Sequence, residues 1–318
     1  MYRLCAKIEI KGEKTWNLDH VSEVEITLDT EQLTDTCKIT LPKAMKWDGQ
    51  SDVPVHRGDK VKVWLGYDGN LQLAFIGYIR DVGFKTPVIL MCEDEMFRLK
   101  QTPTVKKAYK SVTIEQLLKD QGLNYRVNVM GEQSLGQYRV TADTVAALLG
   151  HLKENGIRSF FRYEGDEPVL YCGVLFERKE AAKQVFSTGI NIISDQSLEQ
   201  QQAENTRLRI RAISLMPDNK KIKIDAGDAD GERRTIHTYN KTESELKAWA
   251  EQEVKRLKKD GLKGQFTTFG AKLVEKLSTI GIKIDGQKKG VYQVQKNVIK
   301  YGPGGFRQEI TLGPKISE

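Results

Sequence analysis

The sequence predicts an α+β chain that is mainly β, and three observations carry the prediction. Apolar and polar residues alternate with period two in short runs across the first hundred residues and again near the C-terminus. Helical spacing is confined to a few stretches between them, and pairs such as Asp68-Gly69 and Asp285-Gly286 supply tight turns. With 318 residues, the chain has room for two or three domains of roughly 100–200 residues each. A mean hydropathy of -0.49 excludes a membrane-embedded, collagenous or wholly disordered chain.

Residues 1–100 read as strands. Leu4, Ala6, Ile8 and Ile10 alternate with polar residues, as do Val24, Ile26 and Leu28, then Cys37, Ile39 and Leu41. Val61, Val63 and Leu65 lead to the Asp68-Gly69 turn, a longer run holds Leu73, Phe75, Gly77 and Ile79, and Val88 to Cys92 ends the set. These alternating runs, without a helix, predict a small barrel or sandwich. Cys5, Cys37 and Cys92 fall inside them, where a free thiol acts as a small core hydrophobe. The alternating N-terminus reads as a strand, not a signal peptide, and the expected folding compartment is a reducing cytoplasm.

Residues 101–205 predict an α+β domain. Ser111 or Thr113 caps a short helix through Leu117 and Leu118 that stops at Gly122. A strand over Tyr125 to Val129 follows. A second helix starts near Thr141 or Asp143, buries Val145, Leu148, Leu149 and Leu152, and ends at Asn155-Gly156. Arg158 to Tyr163 and Pro168 to Val174 make a hairpin around Glu164-Gly-Asp166.

Residues 206–318 return to strands at Leu208 to Ala212, Ile222 to Ile224, Ile280 to Ile284, Val291 to Ile299 and Phe306 to Leu312. A helical insertion at about 241–269 opens on the capping box Thr242-Glu-Ser-Glu245, with Leu246, Trp249, Ala250, Val254 and Leu257 on one face. Val61 to Leu65 leads through Asp68-Gly69 to a long strand and a final apolar strand. Ile280 to Ile284 does the same through Asp285-Gly286, and this parallel suggests two related β modules.

Catalytic motifs are missing from the sequence: it has no H-E-x-x-H, G-x-S-x-G or P-loop pattern. His20, His56, His151 and His237 show no pairing with Cys or carboxylates at ligand spacing and read as surface or core-edge residues. Asp228 and Asp230 occupy two ligand positions of a calcium loop aligned on Gly231, but Ala226 and His237 fall where the strongest ligands belong, so a solvated turn is expected. No metal, cofactor or catalytic residue is therefore assigned. The formal charge of +7 is uneven: residues 181–318 carry 25 basic and 17 acidic groups, whereas residues 1–100 carry 14 and 16. Arg207, Arg209 and Arg211 share one face of a strand. They read either as a row lining an acidic partner or a nucleic-acid passage, or as the solvated face of a sheet.

Four stretches together resemble a known family. They are Val55-His-Arg-Gly-Asp-Lys-Val-Lys-Val63 with Phe75-Ile-Gly-Tyr-Ile-Arg-Asp81, Val88 to Asp94 leading into Phe97-Arg-Leu99, Thr141 to Gly156 with the Phe160 to Leu170 hairpin, and Gly290-Val-Tyr-Gln-Val294 with Gly305 to Gly313. The chain resembles the tail hub proteins of contractile phages and related injection machines: the late control protein D family, the Mu-like baseplate hub and the hub part of VgrG.

The resemblance implies two small β-barrel modules per chain, the second assembled from about 206–240 and 270–318. It also implies a homotrimer whose six barrels form a pseudo-six-fold ring between a hexameric tail tube protein and a trimeric spike protein, with baseplate wedge proteins around it. A separately encoded spike is expected, because the chain ends shortly after the last barrel strand. On this basis the protein is a structural, non-enzymatic part of the virion tail baseplate, assembled in the host bacterial cytoplasm. It meets DNA at most transiently through the lumen and does not insert into membranes. Arg207, Arg209 and Arg211 are its candidate interface residues. The competing expectations are a nucleic-acid-binding protein using the basic last third, and a cell-wall-active tail component.

Overall fold

In the computed structural model, which describes residues 2–43, 47, 53–83, 85–130, 134–173, 182, 184–218, 220–258 and 260–317, the alternating runs become strands and the chain is mainly β. In order they are β1 (Leu4–Lys11), β2 (Thr15–Leu18), β3 (Glu23–Asp29), β4 (Thr36–Thr40), β5 (Lys60–Tyr67), β6 (Asn70–Val82), β7 (Ile89–Glu93) and the single turn α1 (Met96–Leu99). Then come β8 (Ala108–Tyr109), α2 (Ile114–Lys119), β9 (Arg126–Met130), β10 (Tyr138–Arg139), α3 (Val145–Glu154), β11 (Arg158–Glu164) and β12 (Glu167–Gly173). The remainder is β13 (Gln184–Ser187), β14 (Ile192–Ser194), β15 (Leu198–Gln201), β16 (Leu208–Leu215), β17 (Lys221–Gly227), β18 (Glu232–Tyr239), α4 (Glu243–Leu257), β19 (Gly261–Phe269), β20 (Thr279–Ile284), β21 (Gln287–Gly302) and β22 (Gly305–Ser317). Val174, expected to end a strand, lies outside the described residues.

The chain divides into two units, one of 1–97, 178–199 and 263–318, the other of 98–177 and 200–262. In the first unit, six strands of each half repeat one plan. Across the sheet the strands of the first half run β1-β5-β6-β7-β4-β3, and those of the second run β13-β20-β21-β22-β19-β14, so in both the order of the six, numbered along the chain, is first, fourth, fifth, sixth, third, second. The inner ladders of both halves are antiparallel. The outermost differ, since β1–β5 is antiparallel and β13–β20 parallel. Both hairpins turn on Asp-Gly in the left-handed region, with φ 50° and 84° at Asp68-Gly69 and 49° and 76° at Asp285-Gly286. That geometry matches the twist of the flanking strands.

A ladder between β21 and β3, Lys296–Tyr301 against Val24–Asp29, fuses the halves into one 14-stranded sheet. Ile8, Ile10, Val24, Ile26, Cys37, Ile39, Val61, Val63 and Leu90 form the first core, and Ile299, Tyr301 and Phe306 from the second half enter the same cluster. No ladder among the described residues closes either half on itself.

In the second unit, α2 and α3 pack on the sheet β11–β12–β9, and α4 packs on the sheet β17–β16–β18. Thr144 caps α3 by accepting from Ala147 N, where the sequence expects Thr141 or Asp143. Thr113 caps α2, and the Thr242–Glu245 capping box opens α4 as its sequence requires.

One assignment changes. Strands at 208–239 pair with one another and not with 279–317. The second β half takes its remaining strands from β13, β14, β15 and β19, which the sequence pattern divides between the α+β domain and the helical insertion. Alternation identifies a strand but not its partner. The segment Leu198-Glu-Gln-Gln201 is too short and polar to announce itself.

Candidate functional site

The motif residues of the first half build a structural corner. Gly58 has φ +96°, and a side chain there would be strained. Its N–H donates to Ile79 O at 2.8 Å, Ile79 N donates back to Asp59 O at 2.9 Å, and Asp59 Oδ2 accepts from His56 N at 2.8 Å. At Gly77 a Cβ would lie 2.1 Å from Glu93 O, so β6 and β7 approach too closely for any side chain. The glycines and the aspartate lock β5, β6 and β7 together.

The seam between the halves holds a buried ionic cluster. Lys276 Nζ lies 2.7 Å from Asp35 Oδ1, with side-chain exposures of 6% and 9%. Asp35 Oδ1 also accepts from Asp29 N at 3.1 Å. Asp94 N donates to Asp35 O at 3.0 Å, and Asp94 Oδ1 accepts from Met96 N at 3.1 Å. Burial, then the charge of Asp35, pushes the Asp94 carboxyl from its ordinary 3.8 up to about 8, against the opposing pull of Lys276. Cys37 and Cys92 are register partners on β4 and β7; burial raises both thiols, Cys92 to about 12, so they are core residues as expected.

The raised Asp94 value has a definite sign. The folded state holds a proton that the unfolded chain releases near pH 4, so this contribution is fully present below that pH and is lost as pH rises through about 8. Asp94→Asn keeps the Met96 contact and removes the titration. Melting temperatures taken from pH 5 to 8 are expected to fall more steeply for the wild type than for the variant. Equal slopes would refute the assignment.

On β16, Arg209 and Arg211 converge on one carboxylate of β17. Arg209 reaches Asp225 Oδ2 at 2.6 Å, and Arg211 Nε reaches Oδ1 at 2.8 Å. Arg211 and then Arg209 hold the Asp225 carboxyl well below the usual range. Register places Arg233 of β18 beside Arg209 on this face, where it is exposed, while Leu208, Ile210 and Ala212 pack beneath α4. Arg207 is paired separately with Asp230. Asp228 accepts from Leu208 N at 2.9 Å and bridges to Lys258. The aspartates of the calcium-loop alignment are thus each engaged by a cation.

A second surface is not legible in the sequence. In the first unit, Tyr2, Leu71, Val185 and Phe269 are exposed along an open groove of 1370 Å³ that Arg307 and Lys272 also line. Arg307 sits 5.0 Å from the Phe269 ring. The one available signal is phase: Phe266 is the buried aromatic of β19, and Phe269 falls on its opposite face.

No family model and no curated protein matches the sequence. Solved structures do match. A tail protein from Neisseria meningitidis is 14% identical, with a TM-score of 0.64 over 98% of this chain and 96% of that one. The 43 kDa tail protein of prophage MuSo2 from Shewanella oneidensis is 18% identical, with a TM-score of 0.59 over 97% and 98%. An Escherichia coli component of the type VI secretion system, described as structurally similar to T4 bacteriophage tail proteins, is 12% identical, with a TM-score of 0.56 over 97% and 77%. The resemblance read from the motifs therefore holds across nearly the whole chain at the level of the fold, which is that of phage tail proteins and of a type VI secretion component.

Proposed function

We propose that this protein is a structural hub of the tail baseplate of a contractile phage or related injection machine, located in the virion tail. The observation that carries this reading is the repeated strand permutation. A chain with two equivalent β modules turns three copies into six similar positions, which reconciles a hexameric tube with a trimeric spike. In this reading the protein is a homotrimer, contacts tail tube, separately encoded spike and wedge proteins, and catalyses no reaction. The exposed edge strands and the apolar groove supply surfaces for neighbouring copies.

Mass measurement in solution with purified tube and spike proteins is expected to give three copies, and micrographs an annular particle. A monomer under those conditions would overturn the proposal. Charge reversal at Arg207, Arg209 and Arg211 is expected to weaken assembly while leaving the fold intact, because these are partly exposed ion pairs. Trimers of undiminished stability would remove the three residues from the interface. The pairing of each arginine with a carboxylate disfavours the nucleic-acid reading, for which binding with a steep salt dependence would be required.

A further inference from the structure

The two β halves share their irregularities as well as their strand order. In the first, Gly58 N donates to Ile79 O at 2.8 Å and Ile79 N to Asp59 O at 2.9 Å; in the second, Leu277 N donates to Val294 O at 2.8 Å and Val294 N to Ser278 O at 2.9 Å. Gly58 and Leu277 both lie in the left-handed region, at φ 96° and 64°. Register shifts fall at Val63/Trp64 and Ile282/Lys283 in the hairpins, and at Ile79/Asp81 and Val294/Lys296 in the next ladders. Such matched irregularities set the correspondence residue by residue: Ile79 stands for Val294, and Asp81 and Val82 for Lys296 and Asn297.

Two strand edges are left open. Lys296 and Asn297 pair with Asp29 and Leu28 of β3. On β6 the ladder to β5 ends at Tyr78, and no strand among the described residues covers the same side of Asp81 and Val82. Likewise β3 has β4 on one side and β21 on the other, whereas its counterpart β14, with β15 following along β19, has β19 alone. Ile193 on β14 is 42% exposed, and Glu199 on β15 is exposed as well. These open edges are the two sides of a ladder that the chain already makes once within itself.

We propose that β14 and β15 of one copy pair with the end of β6 of a second copy, repeating between chains the β21–β3 ladder within each. The inference rests on the hub reading and specifies the surface through which its copies meet. The occupant is a second copy because the strand that fills the corresponding edge is this chain's own β3. A contact between unlike edges runs head to tail, so every copy keeps one open edge until the ring closes. Gln72 adds a second contact: in register with Leu65, it donates through Nε2 to Ala271 O at 2.8 Å and accepts from Leu273 N at 3.1 Å. Gln287, in register with Ile284, holds the matching place on β21 and is exposed. Its side chain bonds only Lys289 of its own strand among the described residues, at 3.3 Å. It docks beyond the end of β4 in the second copy, as Gln72 docks beyond the end of β19.

Asp81→Cys and Glu199→Cys place thiols on the two edges at exposed positions. The double variant, mixed with purified tube and spike proteins and treated with a short bis-maleimide, is expected to give covalent dimers and trimers on a denaturing gel, with mapped peptides joining positions 81 and 199. Wild type and the single variants, which keep the native cysteines, should run as monomers. Three copies by native mass, with the double variant linking no better than the single ones, would overturn the ladder and leave the hub reading standing. A monomer by native mass would overturn both. Gln287→Ala is expected to raise the concentration for half-assembly about tenfold, the worth of one or two hydrogen bonds, without lowering the melting temperature of the monomer. Gln72→Ala should lower that temperature. An assembly midpoint unmoved by Gln287→Ala would overturn the second contact.

Discussion

Gly77→Ala is expected to destabilise the first β half by about 3 kcal/mol or more, at the upper end of ordinary point substitutions. The added methyl would stand 2.1 Å from Glu93 O and 2.7 Å from the Phe75 ring. A ring can rotate, but the Glu93 carbonyl belongs to the β6–β7 ladder, so relief requires the strands to part. Gly69→Ala is the internal control. Its Cβ meets nothing within 4 Å, and only the left-handed backbone, φ +84°, resists the change; that costs roughly 1–2 kcal/mol. Denaturant titration of both variants should separate them clearly, and equal losses would show that close approach is not what fixes glycine at 77.

Lys276→Met is expected to cost about 3–5 kcal/mol, the range for removing one partner of a buried charge pair. The loss arises mainly from Asp35, left in a site with 6% exposure and no cation at 2.7 Å. Lys276→Met combined with Asp35→Asn should recover most of the stability, because no charge remains and the asparagine oxygen can still accept from Asp29 N. A double variant as unstable as the single one would place the cost in the packing around the substituted lysine rather than in Asp35.

Much of this architecture was legible because its signals are local. Period-two alternation located all six main strands of the first half, and Asp-Gly marked both hairpins with matching backbone geometry. Thr242 and Glu245 announced α4 through a reciprocal pair of hydrogen bonds. Long-range choices were not legible. Nothing in Leu208 to Ala212 states that its neighbours are β17 and β18, because any sheet with one apolar face satisfies the same pattern. The seam was missed for a related reason. Asp35, Asp94 and Lys276 sit among ordinary surface-like residues in the sequence, and only the fold makes them neighbours. The arginine row was found by alternation, but its partner Asp225 came from a different strand.

The β21–β3 ladder also sets an order of events during synthesis. Tyr301 pairs with Val24, so the inner edge of the first half stays unpaired until nearly the whole chain has been made. The second unit is threaded through this wait, since 98–177 and 200–262 both emerge before β21. Such distant pairing closes slowly and leaves an open strand edge exposed meanwhile. On the ribosome, β3 is thus open to pairing with the wrong chain throughout that interval. Slower translation of residues 98–262 would lengthen that interval, and earlier arrival of β21 by circular permutation would shorten it.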